Sequence, residues 1–230
     1  MKIQLDFDKE IRAAAPALKV LQIEADVVCD DTSDALWSEI EACRERIHRD
    51  VAIEQVRLRR AIDATRAAYK ACGKDPNRYR PSAEALCRRA VRGLELYRSL
   101  SVIDLINLLS METGHSIGGF DADKIVGTVL TLGVGAENEP YEAIGRGELN
   151  IAGLPVYRDA VGGVGTPTSD NERTKLDPGT RRLLVTVNIY GDSEEFDTEA
   201  VKDLACRLLS DYAQAENIET HLYNLTDENS

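Results

Sequence analysis

The segment 102–113 constrains the fold more than any other part of the chain. It is apolar on almost every side of the helix that its spacing predicts, so that helix must be surrounded by other structure. The apolar residues are Val102, Ile103, Leu105, Ile106, Leu108, Leu109 and Met111. Asp104, Asn107 and Ser110 recur along it at three-residue intervals. Because buried polar groups need hydrogen-bond partners, this polar strip predicts specific contacts in the interior.

The chain around this segment is helical before it and β-rich after it. Alternating apolar residues predict a first strand at 3–7, and a second strand is expected at 18–23. Helical spacing predicts a helix within 54–71 that stops before Gly73, and another that Ser82 caps and Gly93 ends. Later β-like runs cover 124–134, 149–157 and 183–190, and a last helix follows Thr198. The pattern predicts an α+β fold, and we expect one domain over 1–230.

Length and cysteine content favour an ordinary cytoplasmic protein. A chain of 230 residues buries about 70 to 75% of its unfolded surface, which suffices for a core without disulfides or metals. Its five cysteines are an odd number at wide spacings, so we expect reduced thiols. The N-terminus lacks the apolar run of a signal peptide, and no stretch reaches membrane-spanning length. Neither secretion nor membrane insertion is expected.

Charge is distributed unevenly. The formal net charge is −12, yet residues 44–100 hold fifteen Lys and Arg against seven Asp and Glu. An acidic protein does not coat nucleic acid nonspecifically, because phosphate neutralisation supplies most of that affinity. The basic segment could instead be a local nucleic-acid contact. Ordinary solvated helix faces would give the same composition.

The stretch 101–125 carries the most distinctive motif. It contains Asp104, Asn107, Glu112, Gly114, Phe120, Asp121 and Asp123 in one register. This spacing resembles the tRNA-editing domain of the phenylalanyl-tRNA synthetase beta subunit. The segments 78–86, 145–150 and 162–174 look like stand-alone members of the same family. The resemblance covers about 60–215 and implies an editing-type α+β fold with mixed or antiparallel sheets. The first 59 residues would then be a strand and helix extension packed on it.

The resemblance also implies a site for the aminoacyl end of tRNA. By residue type, Glu148 would orient water, Asn150 and the backbone amides of 162–165 would support the oxyanion, and Asp170 would hold the substrate ammonium. Further substrate contacts are expected from Gly118, Gly119, Asp121, Thr168, Ser169, Arg173 and Thr186. The tRNA itself would contact Arg78, Arg80, Arg88, Arg89 and Arg92. We expect Glu148, Asn150, Asp170 and Arg173 to converge beside Gly118 and Gly119.

Two positions depart from the family pattern. The family's histidine before A-F-D is Gly118 here, and its tyrosine-reading glutamate falls near Thr186. The histidine's role therefore does not carry over, and selectivity for tyrosine is not expected.

Several of these residues also have purely structural interpretations. Ser101 with Asp104, and Ser169 with Glu172, have capping-box spacing. The glycine pairs 118–119 and 162–163 could be turns, and Arg146 or Glu148 could form an internal ion pair. His115 follows a probable helix stop and is expected more often as a surface residue than a functional one.

No cofactor or metal is expected. Three scattered histidines, His48, His115 and His221, offer no ligand spacing, and P-loop, dinucleotide and nucleophile-elbow motifs are missing. The leading hypothesis is a free-standing aminoacyl-tRNA deacylase with tRNA or aminoacyl-tRNA as partner. A noncatalytic module that binds a free amino acid, tRNA or a synthetase is the alternative, and an enzyme for another small amino-acid conjugate is a third. The oligomeric state is not predicted.

Overall fold

The computed structural model describes residues 2–191 and 196–226. Two four-stranded sheets and six helices make up most of this part of the chain. The helices are α1 Lys9–Ala14, α2 Asp34–Asp50, α3 Arg60–Ala71, α4 Ser82–Val91, α5 Ser101–Thr113 and α6 Thr198–Tyr212. The strands are β1 Gln4–Phe7, β2 Lys19–Asp26, β3 Ser116–Asp121, β4 Val129–Val134, β5 Glu142–Ala143, β6 Gly147–Glu148, β7 Pro155–Arg158, β8 Gly163–Gly165, β9 Arg182–Ile189 and β10 Glu216–Asn224.

The sheets differ in strand direction. The first has the order β1-β4-β7-β8, in which β1 and β4 are parallel and the remaining pairs antiparallel. The second has the order β10-β2-β9-β3 and is antiparallel throughout. A two-stranded hairpin, β5-β6, stands apart from both. The prediction of an α+β fold with mixed and antiparallel sheets is confirmed.

The second sheet separates two hydrophobic cores. Side chains alternate across a strand, so Leu21 and Ile23 of β2 pack with the helices while Val20 packs with the first sheet. Strand β9 behaves in the same way, with Val185 on the helix side and Leu184 on the sheet side. The order of layers is therefore helices α2, α4, α5 and α6, then the second sheet, then the first sheet, and α1 packs in the core of the first sheet.

Helix α5 lies inside the helix layer, as its composition predicts. It contacts α2, α4 and α6, and Gly114 ends it in the left-handed conformation at φ 81°. Two residues of its polar strip are satisfied by neighbouring structure. The Asp104 carboxylate accepts from the Thr32 hydroxyl at 2.5 Å and the Ser99 amide at 2.8 Å. The Ser110 hydroxyl donates to the His115 carbonyl at 2.6 Å.

The glycine stops after α3, α4 and α5 are confirmed, but the predicted N-terminal caps are wrong. Helix α4 begins after Pro81, and Ser82 is its first helical residue, whose amide instead bonds the Pro167 carbonyl at 2.8 Å. Leu100 occupies the cap position of α5, so Ser101 and Asp104 do not form a capping box. Asn171 caps the short 3₁₀ turn Glu172–Thr174, in place of Ser169. For α5 the reason is a tertiary contact, because Asp104 accepts from Thr32 and Ser99 instead.

The segment 1–59 is interleaved with the rest of the fold. Strand β1 lies at the edge of the first sheet, and β2 lies between β10 and β9 in the second. The predicted strands at 3–7, 18–23 and 183–190 are confirmed, while the strands within 124–134 and 149–157 are shorter than expected. Within the described part of the chain, no helix is long and apolar enough to cross a membrane.

Candidate functional site

A cavity of about 270 Å³ opens at the edge of the second sheet, between α4, α5, β3 and the loop that follows β8. Its apolar wall consists of Leu86, Ile103, Ile106, Ile117, Ile144 and Leu176. Its polar wall consists of Ser82, Asn107, Ser110, Thr166, Thr168, Ser169, Asp170 and Lys175. Gly119 completes the lining. This mixture of branched aliphatic and convergent polar groups is typical of small-molecule sites.

Gly119 brings the strand backbone close to α5. A Cβ at this position would lie 2.6 Å from Ile106 Cδ1, so Ile106 covers the strand only because residue 119 has no side chain. Because β3 is the edge strand of the second sheet, the Gly119 amide can donate to Asp170 Oδ2 at 3.1 Å. This hydrogen bond joins β3 to the loop that carries the polar wall.

Asp170 is the distinctive titratable group of the cavity. Burial raises its pKa to about 7, against the opposing effect of the Gly119 hydrogen bond. None of the ion pairs in residues 2–191 and 196–226 involves Asp170. A desolvated carboxyl without a cationic partner, facing a cavity, is suited to receive a cation from a ligand.

The loop 166–170 is held by hydrogen bonds from several directions. Thr166 Oγ1 accepts from the amides of Thr168 and Ser169, at 3.2 and 3.1 Å. The Tyr69 hydroxyl meets Thr168 Oγ1 at 2.8 Å, and the Tyr141 hydroxyl donates to the Ser169 carbonyl at 2.7 Å. The two loop amides are therefore already occupied, and the side chains present the polar groups.

Asn107 is the polar residue of α5 that remains available. It lines the cavity, and its side chain has no hydrogen bond recorded within the described residues. The sequence showed the three-residue spacing of Asp104, Asn107 and Ser110 but did not assign it to the site. Ser82, Thr166, Lys175 and the aliphatic wall were also missed, because loops and helices that are distant in sequence bring them together.

Gly118 and Thr186 lie on the opposite side of the sheet from the cavity. They are partners across β3 and β9. A Cβ at 118 would lie 2.6 Å from Phe120 Cζ and 2.9 Å from Thr186 Oγ1, between the two sheets. A side chain here would point into the interior core, so the position of the family's histidine does not face this cavity.

Four polar residues were expected to converge beside Gly118 and Gly119. Of these four, only Asp170 lines the cavity. Glu148 and Asn150 line a separate open depression beside the β5-β6 hairpin. Asn150 Oδ1 accepts from the Ala152 amide at 3.0 Å in its own turn. Arg173 makes a bidentate pair with Asp159 at 2.9 and 2.8 Å. The hairpin and this ion pair hold the three side chains away from Gly119.

The remaining predicted contacts have local partners. Asp121 accepts from the Thr180 hydroxyl at 2.9 Å and the Asp123 amide at 3.1 Å. The Gly162 amide donates to Asp159 Oδ1 at 3.1 Å, and neither it nor residues 163–165 lines the cavity. Of the predicted site residues, the cavity unites Gly119, Thr168, Ser169 and Asp170.

The five arginines predicted to contact tRNA differ in whether their guanidinium groups already have partners within the protein. Glu84 is fully buried and pairs with Arg66 and Arg88, each at 2.8 Å, and with Arg80 at 3.6 Å. Arg89 donates to the Glu95 carbonyl at 2.6 Å and lies over the Tyr97 ring.

The other two predicted tRNA contacts, Arg78 and Arg92, are exposed. The Arg78 guanidinium lies 5.7 Å from the centre of the Tyr79 ring.

His115 contradicts the expectation of a surface residue. It is buried, and burial lowers its pKa to about 4. The Phe196 ring lies edge-on at 5.0 Å, and Nδ1 has no hydrogen-bond partner among the described residues. Among the described residues, no three His, Cys, Asp or Glu side chains are grouped so that they could hold a metal ion.

Three comparisons place the chain among known proteins. The family model described as the B3/4 domain matches residues 64–213. A crystal structure of an N-terminal fragment of the phenylalanyl-tRNA synthetase beta subunit from Pyrococcus horikoshii is similar, with 14% identity and a TM-score of 0.49. The match covers 95% of this chain and 50% of that fragment, so the chain spans half of its length. Comparison with curated proteins gives no match.

Proposed function

The chain belongs to the B3/4 domain family, and from that premise we propose that it hydrolyses the ester of a mischarged aminoacyl-tRNA in trans, with the 270 Å³ cavity as the aminoacyl pocket. The observation that carries this proposal is the pairing of an aliphatic wall with one carboxyl that lacks a cationic partner. An aminoacyl ester presents an apolar side chain and an α-ammonium group, which match these two features. The resemblance of residues 101–125 to a tRNA-editing domain indicates the substrate class, which is an ester between an amino acid and tRNA.

Substrate orientation follows from the two walls. The α-ammonium would bind Asp170, and the amino-acid side chain would pack against Ile103, Ile106 and Leu176. The ester carbonyl would then face the polar wall. Because the amides of Thr168 and Ser169 already bond Thr166, the Asn107 amide is the better candidate to stabilise the developing oxyanion.

The chemistry requires little from the protein. Water attacks the ester carbonyl carbon, the tetrahedral oxyanion collapses, and the bond to the ribose oxygen breaks as that oxygen takes a proton. The products are the free amino acid and uncharged tRNA. Since an ester is already activated, positioning and oxyanion stabilisation can supply most of the acceleration. Glu148 remains a candidate for orienting water only if the hairpin that carries it moves toward the cavity.

The test is a deacylation assay with a panel of mischarged tRNAs, with Asn107→Ala and Asp170→Asn beside the unaltered protein. Hydrolysis of at least one pair, reduced in both variants, is the expected result. The absence of hydrolysis above background for every pair would contradict the proposal. Val161→Ala is a suitable control because Val161 is 64% exposed and lines neither wall.

A noncatalytic amino-acid-binding or tRNA-binding module is the second candidate. It is favoured by two observations: Gly118 faces the core, and Glu148 and Asn150 lie outside the cavity. Calorimetry with free amino acids and with uncharged tRNA would detect such binding. Binding without hydrolysis would favour this function, whereas hydrolysis would exclude it.

A further inference from the structure

A second, smaller cavity adjoins the candidate aminoacyl pocket. Its volume is about 110 Å³, and it shares Leu86 and Asn107 with the larger cavity. The rest of its lining is Trp37, Ile40, Arg89, Leu96, Tyr97 and Asp104. Leu86 and Asn107 thus form a common wall of the two cavities. A ligand that passes over these two side chains would place one end in each cavity.

Tyr97 is the unusual member of this lining. It is 80% exposed, more than any other large hydrophobic residue of the described chain. Its ring is nevertheless held in place, because the Arg89 guanidinium lies 4.6 Å from the ring centre and Arg89 is itself bonded to the Glu95 carbonyl. An exposed contact between a guanidinium and an aromatic ring contributes about 0.5 to 1 kcal/mol. The arrangement leaves an ordered aromatic surface open to solvent.

Trp37 provides a second aromatic ring on the same cavity. Arg98 lies 5.8 Å from its centre and is anchored by the Thr32 carbonyl at 3.0 Å and the Asp34 carboxylate at 2.7 Å. Two rings, each accompanied by an arginine, therefore lie on one cavity. Aromatic rings interleaved with arginines are the means by which proteins bind nucleobases and the adjoining phosphates.

Net charge points to the same ligand class. The chain as a whole carries −12, yet Arg89 lines this cavity and is in no ion pair among the described residues, while Arg98 beside Trp37 is paired with Asp34. A carboxylate is also present, because Asp104 lines the floor. Its Oδ2 accepts from Thr32 and Ser99 and is directed toward the protein. A planar ring that carries an anionic group near Arg89 suits this surface better than an aliphatic or a cationic ligand.

From these features we propose that the cavity of Trp37 and Tyr97 is a nucleobase subsite that stacks the base of the nucleoside whose ribose carries the aminoacyl ester. The proposal rests on the proposed function, since it assigns the other end of the same substrate. The ribose would lie at the shared boundary formed by Leu86 and Asn107. Asn107 would then contact both the ester and the sugar.

The experiment uses the intrinsic fluorescence of Trp37, which is the only tryptophan in the chain. The full-length protein is titrated with adenosine, with adenosine 5′-monophosphate and with ribose 5-phosphate. We expect saturable quenching by adenosine and by its monophosphate, and none by ribose 5-phosphate. An uncharged RNA hairpin with an adenosine 3′ end should quench at lower concentration than the mononucleotide, which identifies RNA as the source of the base.

Variants separate stacking from incidental effects. Stacking is worth about 5- to 100-fold in affinity per base, so Tyr97→Ala should weaken nucleotide binding by that amount while Tyr97→Phe retains it. Val161→Ala, an exposed residue outside both cavities, should bind as the unaltered protein does. Because Tyr97 is exposed, its truncation leaves the fold intact, which thermal unfolding would verify.

Three results would overturn the subsite. The first is no saturable quenching by either adenosine ligand, and the second is equal quenching in Tyr97→Ala. The third is a dimer in sedimentation velocity that Tyr97→Ala dissociates, which would make the ring a protein contact. None of these readouts measures hydrolysis. If the protein binds nucleotide but does not deacylate tRNA, only the proposed reaction is contradicted. If it deacylates tRNA but does not bind nucleotide, only the subsite is contradicted.

Discussion

The Gly119 amide donates a hydrogen bond to the Asp170 carboxylate across 3.1 Å, and this contact joins the sheet to the loop that carries the polar wall of the cavity. It also holds an acidic group at a desolvated position. The pKa of Asp170 is raised to about 7, so its charge changes within the physiological range.

Ligand binding should depend on the charge of Asp170. A neutral carboxyl attracts an ammonium group far less than a carboxylate does, so affinity for the aminoacyl group should rise with pH through a midpoint of about 7. Asp170→Asn should bind at least about tenfold more weakly above that midpoint and should show no such rise. Calorimetric affinity for a free amino acid, whose α-ammonium stays charged through this range, measured against pH checks this. A parallel rise in the variant would contradict it.

Stability should change with pH in the opposite direction. The folded pKa of Asp170 lies above the ordinary value of 3.8, so the folded state binds this proton more tightly than the unfolded state does. Its contribution is complete below about pH 4 and is lost as pH rises through about 7. Near pH 8.5 the free energy of unfolding of Asp170→Asn should therefore exceed that of the unaltered protein by about 1 to 3 kcal/mol. Near pH 5 this difference should be smaller. Thermal unfolding at both pH values measures the difference.

Gly119→Ala should narrow the cavity. Its Cβ would lie 2.6 Å from Ile106 Cδ1, which must move, and overpacking of this kind costs about 1 to 3 kcal/mol. Ligand affinity should fall with it. Ile106→Val removes the clashing methyl group, so the double variant Gly119→Ala/Ile106→Val should recover most of the lost stability and affinity. If the single variant bound and unfolded like the unaltered protein, the close approach at Gly119 would be unimportant.

Gly118→His should fail to create an editing histidine. The new side chain would enter the space that Phe120 and Thr186 occupy between the sheets, so we expect a loss of about 3 kcal/mol or more and no gain in hydrolysis. Thermal unfolding and the deacylation assay measure the two effects. A well-folded variant with faster hydrolysis would show that position 118 reaches the substrate after all.

Two arginines of α4 should respond differently to charge reversal. Arg92→Glu should weaken tRNA binding and reduce the slope of log affinity against log salt by about 1, with little change in stability. Arg88→Glu would break the ion pair with the buried Glu84 and so should lower stability by about 3 kcal/mol or more. Filter binding across salt concentrations, with thermal unfolding beside it, separates the two. Equal effects on binding without destabilisation would contradict this division.

Periodicity in the sequence predicted the elements but not their assembly. Helix α5 and strands β1, β2 and β9 follow local patterns, and all of them occur where the sequence placed them. Strand alternation could also have assigned Gly118 to the face of Phe120, since the two are two residues apart.

The cavity could be predicted only in part. Asp170 and Ser169 were expected from residue type, but Glu148 and Asn150 lie on a hairpin whose position depends on contacts remote in sequence. His115 is buried because Phe196, eighty-one positions later, covers it. Local spacing contains no information about such a neighbour.

The position of β2 has a consequence for how this protein can be made and shortened. Its neighbours β9 and β10 are synthesised last, so the second sheet cannot close until residues 182–224 have left the ribosome. Such long-range pairing slows folding and leaves apolar strand edges exposed meanwhile. A fragment cut to the matched region 64–213 would lack β1, β2 and β10 together. We therefore expect that fragment to aggregate, and the smallest expressible unit to retain both flanks.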